Sequence, residues 1–128
     1  MKKIIKWGVP IFLILIVIMM IFAFLGKDET LNLEIQTIDM AKISDGTYTG
    51  NYDCYRWSNK VEVTVKNHQI TDIVPIKVPS GRDALVKALT QKILNKQSPD
   101  VDAVSGATAS SKGFQKAVEL ALKSAKDN

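Results

Sequence analysis

Residues Trp7–Leu25 read WGVPIFLILIVIMMIFAFL, nineteen positions that are all apolar, glycine or proline. As a helix rising ~1.5 Å per residue the run spans about 28 Å, close to the ~30 Å hydrocarbon core of a bilayer. A buried core helix is the competing reading. A 128-residue chain has too little remaining sequence to wrap such a helix on every side. A cleaved secretory signal is the other alternative. Lys2, Lys3 and Lys6 suit its basic start, but the apolar stretch is long, and Ala23-Phe24-Leu25-Gly26 is a poor small-x-small site. The run therefore reads as an uncleaved anchor. Lys6 snorkels to the interface, Trp7 sits at the interface, and Pro10 falls in the first helical turn.

Three lysines precede the anchor, whereas Lys27, Asp28 and Glu29 follow it with a net charge of minus one. The positive-inside rule then predicts a cytoplasmic N-terminus and an extracytoplasmic remainder at the cell membrane. The whole chain carries +4, but the three N-terminal lysines account for most of it. The part beyond the anchor is nearly neutral and has no basic run, which argues against nucleic-acid binding. One cysteine, Cys54, and one histidine, His68, give no internal disulfide and no ligand set for a structural zinc. Cys54 reads as a small buried hydrophobe and His68 as an exposed turn residue.

Working outward, the chain divides into an anchor region at 1–26, a juxtamembrane linker at 27–44 and a folded domain at 45–126. The linker fits a strand (Leu31, Leu33, Ile35) as well as a helix (Leu31, Ile35, Ile38). Asp45-Gly46 is a turn, Thr47–Thr49 begins a strand broken by Gly50, and Ser58-Asn59 is a second turn. Val61–Val65 alternates as a half-buried strand, and Asn67-His68 marks a tight hairpin. The next strand, Ile70–Val78, would carry Ile70, Asp72, Val74 and Ile76 on one face, and Pro75 places it at a sheet edge. Ser80 would cap a helix buried through Leu85, Ala88, Leu89 and Ile93. Val101–Val104 is a short extended segment. Phe114, Ala117, Val118, Ala121, Leu122 and Ala125 mark a last helix capped by Ser110 or Ser111, with a frayed tail at Asp127-Asn128. The expected fold class is α+β: an N-terminal transmembrane helix, then a small domain of antiparallel sheet packed against two helices.

Asp102-Ala103-Val104-Ser105-Gly106-Ala107-Thr108-Ala109-Ser110-Ser111 carries small residues, one glycine and four hydroxyls within seven positions, directly before the most periodic helix. Free backbone amides at a helix start, with hydroxyls beside them, favour an anion such as a phosphate. Gly106 permits a tight turn or a close backbone approach. The stretch has neither the Gly-Lys-Ser/Thr of a P-loop nor the three glycines of a dinucleotide fingerprint. A serine-rich helix cap would leave the same pattern.

The stretch Asp-x-x-Ser-Gly-Ala-Thr-x-Ser resembles the flavinylation motif of FMN-binding domain proteins, which include subunits of the sodium-pumping NADH:quinone reductase and of Rnf electron-transport complexes. The resemblance extends to Asp45-Gly46-Thr47-Tyr48-Thr49-Gly50, to Val61–Ile73, and to Ser-Lys-Gly-Phe-Gln-Lys-Ala-Val after the motif, roughly 45–126 in all. It implies FMN joined through its phosphate to Thr108 by a separate flavin transferase that uses FAD. Asp102, Ser105, Gly106, Ala107 and Ser110 would then line the site or be read by the transferase. Tyr52–Trp57 departs from a region often glycine-rich in that family, so the ring environment and potential are expected to differ here.

Tyr48, Tyr52, Tyr55 and Trp57 are candidates to stack on the flavin, with Trp57 first because it flanks a turn. The resemblance thus implies a membrane-anchored extracytoplasmic electron carrier rather than an enzyme with its own substrate. Its donor would be membrane-bound and its acceptor soluble or on the surface. The alternatives are a noncovalent FMN-dependent reductase and an anchored binding or assembly module without redox activity.

Overall fold

The computed structural model describes residues 2–126, so the Asp127-Asn128 tail lies outside the described residues. Helix α1 runs Lys2–Phe24. None of its most apolar 18-residue window is buried by the rest of the chain, and Trp7 is 74% exposed. So exposed a helix is no domain core; it is long and apolar enough to cross a membrane. Helix formation begins at Lys2, which puts Pro10 in the interior and not in the first turn as expected. Proline there forgoes one amide bond to the preceding turn, a loss that membrane helices tolerate.

Beyond the anchor lies an antiparallel sheet in the order β1-β2-β3, formed by β1 (Gly46–Tyr52), β2 (Asn59–Lys66) and β3 (Gln69–Lys77). Val61, Val63 and Val65 of β2 alternate into the core as expected. Asn67 and His68 both have φ near +60° (53° and 62°), the conformation of a tight two-residue hairpin. His68 is exposed, and its Nδ1 lies 2.9 Å from the Ile43 carbonyl oxygen.

Strand β3 departs from the simple alternation. Thr64 pairs with Asp72 and Val65 with Ile70, so Thr71 is an extra residue; Ile76 is skipped in the same way between Pro75 and Lys77. Each bulge reverses the side-chain phase. Ile70 and Ile73 are therefore the buried pair, and Val74 and Ile76, expected beside Ile70, face outward. Pro75 lies on an edge strand, where its missing N–H costs no ladder bond.

Helix α3 (Asp83–Lys96) buries Leu85, Val86, Leu89 and Ile93. Val86 takes the place expected for Ala88, which is exposed. The helix starts after Arg82, and no side chain caps it, so Ser80 does not have the expected capping role. Gly81, at φ +75°, turns the chain between Ser80 and the first helical residue.

Helix α4 (Thr108–Lys126) is the organiser of the domain. Its expected apolar stripe, Phe114 through Ala125, is buried against β1 and β2. Gly50 lies inside β1 and does not break it. A Cβ on Gly50 would stand 1.8 Å from the Ala117 carbonyl oxygen, so the glycine permits direct contact between strand and helix.

The opposite side of α4 holds chain instead of facing water. Lys112 Nζ donates to the carbonyl oxygens of Leu31 and Leu33, both at 2.9 Å. Glu119, fully buried, accepts from the Gln36 amide at 2.7 Å and pairs with Lys116 at 2.5 Å. Gln115 donates to the carbonyls of Pro99 and Val101. These side chains satisfy backbone groups that a ladder or helix would otherwise satisfy. Residues 32–39 therefore form neither of the two elements that their pattern allowed. They follow a single helical turn, α2 (Lys27–Leu31), and lead to a 3₁₀ turn at Met40–Lys42.

Candidate functional site

The motif loop is built by a turn and a helix start. Ala107 N–H donates to the Val104 carbonyl at 3.0 Å, and Gly106 turns the chain at φ +78°. Nothing lies within 4 Å of where a Gly106 Cβ would stand, so only backbone conformation calls for glycine there. Helix α4 begins at Thr108, two or three residues before the expected caps. Ser111 is inside the helix. Its hydroxyl donates to the Ala107 carbonyl at 2.7 Å and accepts from Val104 N–H at 3.0 Å, tying the loop to the first turn. Ser110 is also helical, and buried. Ser111 N–H makes the first helical bond, to Ala107, which leaves the amides before it at the helix's positive end.

Thr108 is exposed and lines a cleft of about 400 Å³ together with Gly106, Ala107 and Ser110. Lys27 and Leu31 from the juxtamembrane turn, Trp57, and Arg82 from the start of α3 form the rest of the cleft wall. A second groove of about 460 Å³ adjoins it, sharing Trp57, Arg82 and Ser110 and adding Tyr55, Arg56, Lys77 and Val78. Lys27, Arg56, Lys77 and Arg82 thus line the combined space, and among the described residues no carboxylate does. Among the described residues none of these four cations forms an ion pair. In a folded part with almost no net charge, that local excess suits an anion.

The anchor end forms part of the same wall. Trp57 Nε1 donates to the Leu25 carbonyl at 3.1 Å, and Arg56 Nη1 donates to the Ala23 carbonyl at 3.3 Å while its guanidinium covers the Trp57 ring at 4.9 Å. Cys54, buried as expected, packs with its Sγ 3.6 Å from the Gly26 carbonyl oxygen. Tyr52–Trp57 therefore holds the last carbonyls of α1, groups that a helix end leaves without partners.

The sequence-derived site residues separate into two groups. Gly106, Ala107, Thr108 and Ser110 meet at the cleft. Asp102 and Ser105 are exposed elsewhere on the loop. Asp102 borders a different depression with Lys92 and Lys96, and Lys92 Nζ donates to its carbonyl at 3.2 Å. The four aromatic candidates also divide. Tyr55 and Trp57 line the groove, whereas Tyr48 donates to the Ser44 carbonyl at 2.7 Å and Tyr52 is buried with its hydroxyl 2.8 Å from Thr30 Oγ1. Burial pushes the Tyr52 phenol up to about 12.

Nothing in the sequence marks Lys27, Arg56, Lys77 and Arg82 as site residues. They are scattered over four segments and form no basic run. The one available hint was Gly81 before Arg82, a turn placed at a helix start.

The FMN-binding domain family model matches residues 56–123, just over half of the chain, spanning Trp57, Arg82 and the whole motif loop. No curated protein matches the chain.

Proposed function

The chain belongs to the FMN-binding domain family, and from that premise we propose that it is a membrane-anchored extracytoplasmic electron carrier with FMN esterified through its phosphate to Thr108. The observation that carries this reading is the placement of Thr108: exposed, at the first residue of a 19-residue helix, in a cleft lined among the described residues by Lys27 and Arg82 and by no carboxylate. A phosphate diester there would keep its negative charge beside the α4 amides and Lys27. Bound FMN would supply the electron chemistry; the chain supplies attachment, position and electrostatics. Trp57, buried between anchor and cleft, would shield one side from water.

Among the described residues no histidine or carboxylate lines the cleft to activate Thr108. That supports attachment by a separate flavin transferase using FAD. The Thr108 oxygen would bond to the FMN-side phosphorus, the pyrophosphate bond would break, and AMP and the hydroxyl proton would leave. A covalent link also suits a carrier outside the cytoplasm, where a dissociated cofactor is diluted away. The contacts of Arg56 and Trp57 with Ala23 and Leu25 support a retained anchor, because the folded domain uses its end. Flanking charge supports a cytoplasmic N-terminus. A membrane-bound donor and a soluble or surface acceptor complete the reading.

The test is co-expression of the full chain with a flavin transferase, followed by a denaturing gel under ultraviolet light. A fluorescent band is expected for the wild type and none for Thr108→Ala. No band in either, with the transferase active on a control protein, overturns covalent attachment. Flavin released on denaturation would then favour a noncovalent FMN protein.

A further inference from the structure

The cleft at Thr108 and the adjoining groove share three residues, of which Arg82 is the only cation. Lys27 lines the cleft alone, and Arg56 and Lys77 line the groove alone. Two of these others are already engaged: Lys27 Nζ lies 5.2 Å from the centre of the Phe24 ring, and Arg56 covers Trp57 and reaches the Ala23 carbonyl. Arg82 is half-buried at the start of α3, and among the described residues its guanidinium has no carboxylate partner. The groove beyond it has an aromatic wall, Tyr55 and Trp57, and an apolar one, Val78 and Pro79. A flat apolar ring suits those walls, and the phosphate end belongs in the cleft.

We propose that Arg82 tunes the reduction potential of a flavin held at Thr108, the ring occupying the groove between residues 55–58 and 77–82. This rests on the flavin reading above. A positive charge beside a redox group favours its more negative, reduced form and so raises the potential. Trp57, Val78 and Pro79 beside Arg82 displace part of the water that would screen its guanidinium. The Tyr55–Trp57 turn anchors one wall of the groove to the end of α1.

The experiment uses the full chain, co-expressed with a flavin transferase and held in detergent or nanodiscs. Wild type, Arg82→Gln and Arg82→Lys are compared by gel fluorescence for covalent loading and by spectroelectrochemical titration for potential. Arg82→Gln is expected to load and to show a lower potential, whereas Arg82→Lys stays near the wild type. Equal potentials in all three overturn the proposal while leaving covalent flavin intact. So does an Arg82→Lys shift as large as that of Arg82→Gln, because charge would then not be the cause. Loss of loading in both Arg82→Gln and the reserve variant Arg82→Met, each folded by circular dichroism, would assign Arg82 to phosphate attachment and overturn a role at the ring. If Arg82→Met loads, its lowered potential supports the proposal and an unchanged one overturns it. A wild type without flavin, beside a loaded control protein, removes the underlying reading and this proposal with it.

Discussion

The indole N–H of Trp57 donates to the carbonyl oxygen of Leu25 across 3.1 Å, joining a wall of the candidate cofactor site to the residue that follows the apolar helix. Leu25 lies just beyond α1, where carbonyls have no intrahelical partner. The bond satisfies one of them and fixes where the domain begins relative to the anchor. Trp57→Phe keeps an aromatic ring there but removes this donor and part of the indole's packing. The expected cost is about 2 kcal/mol, concentrated at the junction. Hydrogen exchange of the amides at 24–33 should quicken while the amides of β2 stay protected; equal protection at both would show that the bond carries no weight.

Gly50→Ala places a methyl group where the Ala117 carbonyl oxygen stands, at 1.8 Å, and the Ala121 nitrogen, at 2.5 Å. Both are backbone atoms of α4 and cannot rotate away. The expected loss is about 3 kcal/mol, at the upper end for overpacking a core. A chemical unfolding midpoint unchanged from the wild type would refute the close strand-to-helix contact.

Asp102 and Thr108 face different depressions. A mutation at Asp102 should therefore affect the attachment reaction more than the attached flavin. Asp102→Asn is expected to slow covalent loading several-fold and to leave the visible spectrum and potential of the loaded protein unchanged. A spectrum that shifts with Asp102→Asn would place the carboxylate near the ring.

Tyr52 has its phenol raised from 10.0 to about 12, chiefly by burial. The unfolded chain gives up that proton first, near pH 10, while the folded chain keeps it. The stability carried by the neutral phenol is full below pH 10 and is lost as pH rises toward 12. Tyr52→Phe removes this part of the alkaline loss, together with the Thr30 contact worth about 1 kcal/mol. Unfolding of detergent-solubilised wild type and Tyr52→Phe should therefore converge between pH 10 and 12. A constant difference across that range would mean that the phenol does not titrate there.

How far the sequence reveals this protein depends on whether a feature is local. The apolar period from Phe114 to Ala125 needs only a helix, and that stripe is buried as read. Asn67-His68 needs only a turn. The two bulges of β3 arise from pairing with β2, so counting alternate residues from Ile70 put Val74 and Ile76 on the wrong face. Ser110 and Ser111 suit a cap equally well as an interior position bonded to the preceding turn, and the sequence does not distinguish them. At the site, Gly106 and Thr108 were legible because the loop is contiguous. Lys27 and Arg82 were not, because only packing against α4 brings the juxtamembrane turn and the start of α3 to the same cleft.

The grip of Lys112 and Glu119 on residues 31–36 has a consequence for the timing of biogenesis. The segment just after the anchor emerges early in synthesis, but its partners lie on the last helix. The β-strands likewise lack most of their opposing face until Phe114, Val118 and Leu122 arrive. A nascent chain therefore has no assembled cleft while α4 is still in the ribosome, however long its first residues have been in the membrane. If FMN is attached at Thr108 as proposed, its loading would act as a late quality check, since a hydroxyl set at a helix start between Lys27 and Arg82 exists only once α4 has packed.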